Sequence, residues 1–165
     1  ISQIITAAGT YFLHLETHNS EFYLSALLHE IEQYYTDKLD YLKIPFAIDP
    51  YMDCLIYGDE PRCVEVLQNI MENAIKYGEG SEIRITFSDE EDHRLISISN
   101  ARCTLSENEL PHIFDSFWRG ANSEAVKGSG LGLYICRELL HQMEGNIYAT
   151  KKEDHITMTV VLRKA

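Results

Sequence analysis

Gly128-Ser129-Gly130-Leu131-Gly132-Leu133 runs without a break into the amphipathic pattern Tyr134-Ile135-Cys136-Arg137-Glu138-Leu139-Leu140. Glycines at alternate positions leave the backbone free of Cβ atoms, so successive amides can close around an anion. A helix that starts directly behind them adds the positive end of its dipole. A chain with this stretch must therefore set a tight turn against a helix N-terminus, and that pairing predicts a phosphate-binding site.

Two well-known phosphate binders do not fit. A P-loop ends in Gly-Lys followed by Ser or Thr, and the chain has no Gly-Lys pair. A dinucleotide fingerprint follows the first strand of a βαβ unit and precedes an acidic residue at a strand end, whereas these glycines come late, behind a long polar stretch.

The 165 residues suffice for one domain with a core, and 45% hydrophobic with 24% charged residues is an ordinary globular balance. A net charge of −12 argues against nucleic acid and against direct contact with an anionic membrane, so an anionic ligand needs locally gathered donors. No apolar run is long enough to span a bilayer and no signal peptide is visible. Ile1 in place of an initiator Met reads as the start of a fragment. Cys54, Cys63, Cys103 and Cys136 form no Cys-x-x-Cys pair and no zinc set, so free thiols of a reducing compartment are expected, with Cys63 and Cys136 as small core residues.

Along the chain, Ile1, Ile5, Ala8, Phe12 and Leu15 step by four and three, the spacing of a coiled-coil seam, and predict the end of a longer helix. Residues 17–20 read as a linker and 22–24 as a short strand. Apolar spacing predicts a helix over 25–42, and 44–48 and 53–57 read as short strands. Asp59 caps a second helix with Pro61 in its first turn, running to about Tyr77 and ending at Gly78. Two alternating strands, 82–88 and 93–99, flank the acidic turn 89–92. Ser106 to Glu109 is a capping box opening a short helix, 118–129 read as a loop, and 146–151 with 155–162 close the chain as a hairpin. Helices interrupting a mostly antiparallel sheet predict a two-layer α/β sandwich with helices on one face.

On the second helix Asn69, Asn73 and Lys76 are spaced by four and three and share one face, opposite Cys63, Val64, Leu67, Ile70, Met71 and Ala74. An amide oxygen is a hard ligand that suits Mg²⁺, and a nearby lysine neutralises phosphate; the plain alternative is a solvated polar face.

The stretch 67–77, Leu-Gln-Asn-Ile-Met-Glu-Asn-Ala-Ile-Lys-Tyr, resembles the N box of sensor histidine kinases. Residues 113–120, Ile-Phe-Asp-Ser-Phe-Trp-Arg-Gly, resemble their F box, and Lys127 to Leu133 resemble their G2 box. The three stand in the family's order and spacing, over roughly residues 20–165. The resemblance implies the GHKL (Bergerat) ATP-binding fold, a mixed, mostly antiparallel sheet covered on one face by helices, with ATP and Mg²⁺ as cofactors. It implies that Asn73 ligands Mg²⁺, that Asn69 lies near the phosphates, and that Lys76 and Tyr77 contact phosphate or ribose. Residues 118–129 would form a lid with Phe114 and Phe117 at its base, core packing being the equal alternative for Phe114. Arg119 would reach the γ-phosphate or a partner domain. Lys127, Gly128, Gly130, Leu131, Gly132 and Leu133 would line the phosphate end.

The family's ATP hydrolases carry a glutamate four residues before the Mg²⁺ asparagine, as the base that activates water. Here that position is Asn69, and Glu72 is turned about 100° from Asn73 on a helix. The site therefore reads as one that holds ATP for transfer to another nucleophile. Two departures matter. The G1 box, Asp-x-Gly-x-Gly, is replaced by Asn100-Ala101-Arg102-Cys103-Thr104, so Asn100 stands as a neutral acceptor for the adenine amino group and weaker adenine binding is expected. The phosphoacceptor histidine motif is missing; His29-Glu30-Ile31-Glu32 is a partial look-alike that reads as a surface helix.

The resemblance thus implies a catalytic domain at 20–165, preceded at 1–19 by the end of a dimerisation and phosphoacceptor helix plus linker. Its partners would be that domain and a response regulator, and it would be a cytoplasmic part of a membrane-anchored sensor. Two alternatives stay open: a serine kinase of the anti-sigma type, and a non-catalytic interaction module with a decayed nucleotide site.

Overall fold

The computed structural model describes residues 2–5, 11–101, 103, 105–115 and 132–165, with backbone alone for 2–5 and 11–14. Ser2–Ile5 (β1) and Tyr11–His14 (β2) pair antiparallel, Ser2 opposite His14 and Ile5 opposite Tyr11. This corrects the helix expected over residues 1–15. Ile4, Ile5, Tyr11 and Phe12 are β-branched or aromatic and prefer extended backbone, and two heptads are too short to sustain a helix by themselves.

The remaining strands form one seven-stranded sheet: Ser20–Tyr23 (β3), Phe46–Ile48 (β4), Leu55–Gly58 (β5), Ile83–Glu90 (β6), His93–Asn100 (β7), Asn146–Lys152 (β8) and His155–Lys164 (β9). Their order is β3-β5-β9-β7-β6-β4, and β8 also pairs with β9. β5 takes positions 163–164 of β9 and β8 takes 155–161, so two strands lie end to end along one edge of β9. Every pairing is antiparallel except β4 with β6. The hairpins β6–β7 and β8–β9 turn on Glu91-Asp92 and Glu153-Asp154, with Glu91 and Glu153 in the left-handed region.

Among the described residues three α-helices, Leu24–Tyr41 (α1), Glu60–Tyr77 (α2) and Gly132–Gln142 (α3), carry the second layer. Each buries one stripe, led by Leu24, Leu27, Ile31, Tyr35 and Leu39 on α1 and by Ile135, Cys136, Leu139 and Leu140 on α3. On α2 the stripe is Cys63, Val66, Leu67, Ile70, Met71 and Ala74; Val66 takes the place expected for Val64, which is only half-buried. The mixed sandwich expected from the order of elements is therefore the observed fold.

Caps fix where the helices start. Tyr23 offers no oxygen to α1, and the cap comes from a distant loop: Asp53 accepts from Ser25 N at 2.9 Å and from Ser25 Oγ at 2.6 Å. Asp59 caps α2 through Arg62 N at 3.2 Å. Its other oxygen accepts from His18 N at 2.8 Å, so one buried carboxylate starts α2 and holds the linker. Half of the expected Ser106 box is seen, Ser106 N donating to Glu109 Oε1 at 3.1 Å, and it leads only into a single 3₁₀ turn, Leu110–His112. Gly145 carries the chain from α3 to β8 where a Cβ would stand 2.3 Å from Val161 O. The arrangement leaves α2 as the central helix, touching α1, α3 and β7.

Candidate nucleotide site

α2 has three uses for its circumference. Its apolar stripe faces the sheet, and the face bearing Asn69, Asn73 and Lys76 stays partly open, with both asparagines half-buried and Lys76 exposed. Lys76 sits in the last turn, where the helix dipole favours a cation. The side chains of Asn73 and Lys76 make no hydrogen bond or ion pair among the described residues.

Asn69 is held more firmly. Its Nδ2 donates to Glu65 O at 3.1 Å, and its Oδ1 lies where a Cβ on Gly132 would be 3.1 Å away. Gly132 opens α3, so the structure brings the asparagine face of α2 against the last glycine of the turn. Leu133 follows, half-buried against the core. Cys136 lies one turn along α3, its Sγ 3.9 Å from Val66 O and its thiol pushed up to about 12 by burial, then by the charge of Glu65.

Glu72 occupies the third side of α2. It accepts from Tyr35 Oη at 2.7 Å and pairs with Lys38 Nζ at 3.0 Å, both on α1. The carboxylate beside Asn73 is therefore engaged with the neighbouring helix. This agrees with its expected unfitness as a base for water at the asparagine face.

The adenine-end candidate, Asn100, closes β7 and is 6% exposed. Its Nδ2 donates to Ala101 O at 3.0 Å. Ala101 O also takes Ser81 Oγ at 3.1 Å. Gly78, the residue after α2, lies so close that a Cβ would stand 2.9 Å from Asn100 Nδ2 and 2.5 Å from Ala74 O. Its φ is −86°, so glycine is needed here for close approach and not for a left-handed turn. Tyr77 is half-buried beside it.

Phe114 is 7% exposed and belongs to the core cluster, with the Arg137 guanidinium 6.0 Å from its ring centre. Arg119, Lys127, Gly128, Gly130 and Leu131, together with Phe117, lie outside the described residues. His29 is exposed on α1 and lines an open groove of about 510 Å³ with Tyr23, Ser25, Glu32, Ile48 and Tyr51, none of them a candidate site residue.

Sequence reasoning missed Tyr35 and Lys38, whose contact with Glu72 is visible only once α1 and α2 are packed. Gly78 is the C-cap of α2 as expected, and what the sequence did not show is that Asn100 of β7 crowds it in addition to Ala74 O of α2 itself. As a donor set the site is spare. Among the described residues no group of three or more His, Cys, Asp or Glu side chains gathers to hold a metal. A single amide oxygen at Asn73 cannot hold Mg²⁺ alone, but it fits a Mg²⁺ that arrives with phosphates and keeps most of its waters.

Residues 58–165 match the family described as histidine kinase-, DNA gyrase B- and HSP90-like ATPase. The chain is 30% identical over 94% of its length to the adaptive-response sensory kinase SasA of Microcystis aeruginosa, of which it covers 41%. It spans about two fifths of the length of the SasA relatives it matches, 41% and 40%. Among solved structures it is similar to the catalytic domain of histidine kinase ThkA, with a TM-score of 0.78 and 27% identity over 89% of this chain and 98% of that one. It is also similar to ThkA in complex with the response regulator TrrA, with a TM-score of 0.74 and 26% identity over 90% of this chain and 42% of that one. With the family's match covering well over half of the chain and the sandwich in agreement, the chain belongs to the histidine kinase-, DNA gyrase B- and HSP90-like ATPase family.

Proposed function

We propose that the chain is the ATP-binding catalytic domain of a sensor histidine kinase. It binds Mg²⁺–ATP and presents the γ-phosphoryl group to a histidine on a separate dimerisation domain, from which the group passes to a response regulator. The observation that carries this is the division of labour around α2: an open face of Asn69, Asn73 and Lys76, with the adjacent carboxylate Glu72 tied to α1. A site with amides where hydrolases need a base favours a nucleophile supplied from outside. Positioning and charge neutralisation then supply most of the catalysis.

Each side chain has a stated part. Asn73 offers its amide oxygen to Mg²⁺, which when bound offsets the charge of the phosphate oxygens. Lys76 adds a second positive charge at the same end. Asn69, fixed by Glu65 O, braces the start of α3 so that the glycine-turn amides meet the phosphates. Asn100 Oδ1 accepts from the adenine amino group. Arg119, Tyr77, Lys127, Gly128, Gly130, Leu131 and Leu133 complete the pocket and its lid, and Phe114 supports the base of that lid from the core. The incoming imidazole nitrogen bonds to the γ-phosphorus as the β–γ bridging oxygen leaves with ADP.

The partners are the dimerisation and phosphoacceptor domain of the same kinase and a response regulator; the ThkA–TrrA complex supports the second. Residues 1–19 make the connection to the first. Of these, 2–5 and 11–14 form a strand pair, and the stretch after them is held by Asp59, by Arg62 Nε on Glu16 O at 3.2 Å and by Gln142 Nε2 on Leu15 O at 2.6 Å. No helix among the described residues is long and apolar enough to cross a membrane, and we place the domain on the cytoplasmic side of a membrane-anchored sensor.

The test is to mix the chain with the phosphoacceptor domain of the same protein and γ-labelled ATP. Acid-labile, alkali-stable phosphohistidine on the added domain is expected. Acid-stable phosphoserine would overturn this in favour of a serine kinase, and no nucleotide binding at millimolar ATP would favour a non-catalytic module.

A further inference from the structure

Resting on the nucleotide reading above, we infer that Tyr35, Lys38 and Glu72 form a positioning strut that sets the rotation of α2 at which Asn69 and Asn73 face the phosphates.

Tyr35 is wholly buried on α1, yet its hydroxyl is placed against two points of α2. Oη donates to Glu72 Oε2 at 2.7 Å and lies 3.4 Å from Gln68 O. Gln68 and Glu72 are the residues immediately before Asn69 and Asn73, so the strut grips α2 beside both asparagines. Lys38 Nζ closes the group with 3.0 and 3.2 Å contacts to the two oxygens of Glu72, and it lies 5.6 and 5.7 Å from the ring centres of Tyr34 and Tyr35. Burial, then the hydrogen bond and charge of Glu72, push the Tyr35 phenol far above its ordinary value, so it remains a donor throughout the working pH range.

Stability does not explain this arrangement. A phenylalanine would fill the ring's space, and a half-exposed pair such as Lys38–Glu72 adds little to folding. What directional contacts add is angle. The apolar stripe of α2 packs through non-directional contacts that tolerate small rotations. At a side-chain radius of about 6 Å, a rotation of roughly 10° moves an amide oxygen by about 1 Å. Misplacement on that scale costs on the order of 100-fold where a group must meet its ligand in register. The strut and the sheet hold α2 from two sides and leave the asparagine face between them.

The test is a titration with a fluorescent ATP analogue, in Mg²⁺ and in EDTA, for the chain and for Tyr35→Phe. The variant is expected to lose about tenfold of its Mg²⁺-dependent affinity. Its EDTA affinity should be unchanged and its thermal midpoint within a few degrees of the original. Lys38→Met should fall in the same direction and Lys38→Arg should restore binding. Glu72→Gln, which keeps an acceptor for Tyr35, gives a second handle if Tyr35→Phe folds poorly. In an Asn73→Ala background Tyr35→Phe should add a smaller loss, because only Asn69 is then left for the strut to position. Unchanged Mg²⁺-dependent affinity in Tyr35→Phe, or an equal loss with and without Asn73, overturns the strut alone. Absence of Mg²⁺-dependent binding by the unsubstituted chain overturns the nucleotide reading and the strut with it.

Discussion

Asn73 and Asn100 are both asparagines proposed to meet the nucleotide, and they are held in opposite ways. Asn73 projects from a regular helix that is packed on the sheet and tied to α1, while its own amide makes no bond among the described residues. Asn100 sits at the end of a strand with its amide nitrogen already committed to Ala101 O and with Gly78 pressed against it. On α2 rigidity lies in the support, and the amide oxygen proposed to meet Mg²⁺ is left available. At the adenine end the side chain itself is used locally, and a neutral oxygen is what remains for a ligand. Binding strength should therefore concentrate on phosphate and Mg²⁺, with adenine contributing less than a charged acceptor would.

The largest effect should come from Asn73. Asn73→Ala removes the metal-facing amide and should weaken Mg²⁺-dependent nucleotide binding by about 100-fold, the equivalent of roughly 3 kcal/mol, without changing the fold seen by circular dichroism. A loss confined to a few-fold would move the weight of the site away from α2.

Gly78→Ala comes next and separates the two ends. Its Cβ would meet Ala74 O at 2.5 Å and Asn100 Nδ2 at 2.9 Å. It should cost about 1–3 kcal/mol of stability in urea unfolding and also weaken nucleotide binding. Gly145→Ala, with a Cβ 2.3 Å from Val161 O, should cost as much stability and leave affinity unchanged, since it lies between α3 and β8. Equal effects of the two on binding would show that Gly78 matters only to the fold.

Asn100→Ala should weaken binding by no more than about tenfold, near 1 kcal/mol for one neutral hydrogen bond. The loss should be similar with and without Mg²⁺. A loss rivalling that of Asn73→Ala would reverse the comparison.

The smallest effect concerns pH. Partial burial pushes the pKa of Asp53 up, but the Ser25 hydrogen bonds, Cys54 N and the charge of Arg94 outweigh it and hold the carboxyl below its ordinary 3.8. A depressed carboxylate stabilises above the unfolded value and loses that contribution as the pH falls through the folded one. Asp53→Asn should flatten the acid limb of the stability curve below that range while leaving nucleotide affinity at pH 7 unchanged.

Much of this was legible in the sequence because it is local. The apolar spacing of 25–42 and 59–77 gave α1 and α2 nearly to the residue, and the strand runs gave both hairpins, the first around an acidic turn. The spacing of Asn69, Asn73 and Lys76 by four and three put them on one face, because one helix settles that. What was not legible is what distant residues decide. The pairing of β3 with β5 and the parallel β4–β6 step depend on elements far apart in sequence. Residues 1–15 carry a seam-like spacing, yet their β-branched and aromatic residues win and strands form. Gly78 looks like an ordinary helix stop until β7 brings Asn100 against it. Glu72 was dismissed on angle alone, and its tie to Tyr35 and Lys38 emerged only from helix packing.

The central claim is that this chain holds Mg²⁺–ATP at the asparagine face of α2, and its most direct test is calorimetric titration of the unsubstituted chain with a non-hydrolysable ATP analogue, with and without Mg²⁺. Saturable binding that strengthens on adding Mg²⁺ is the predicted result, and binding of equal strength under both conditions, or none at millimolar analogue, would contradict it.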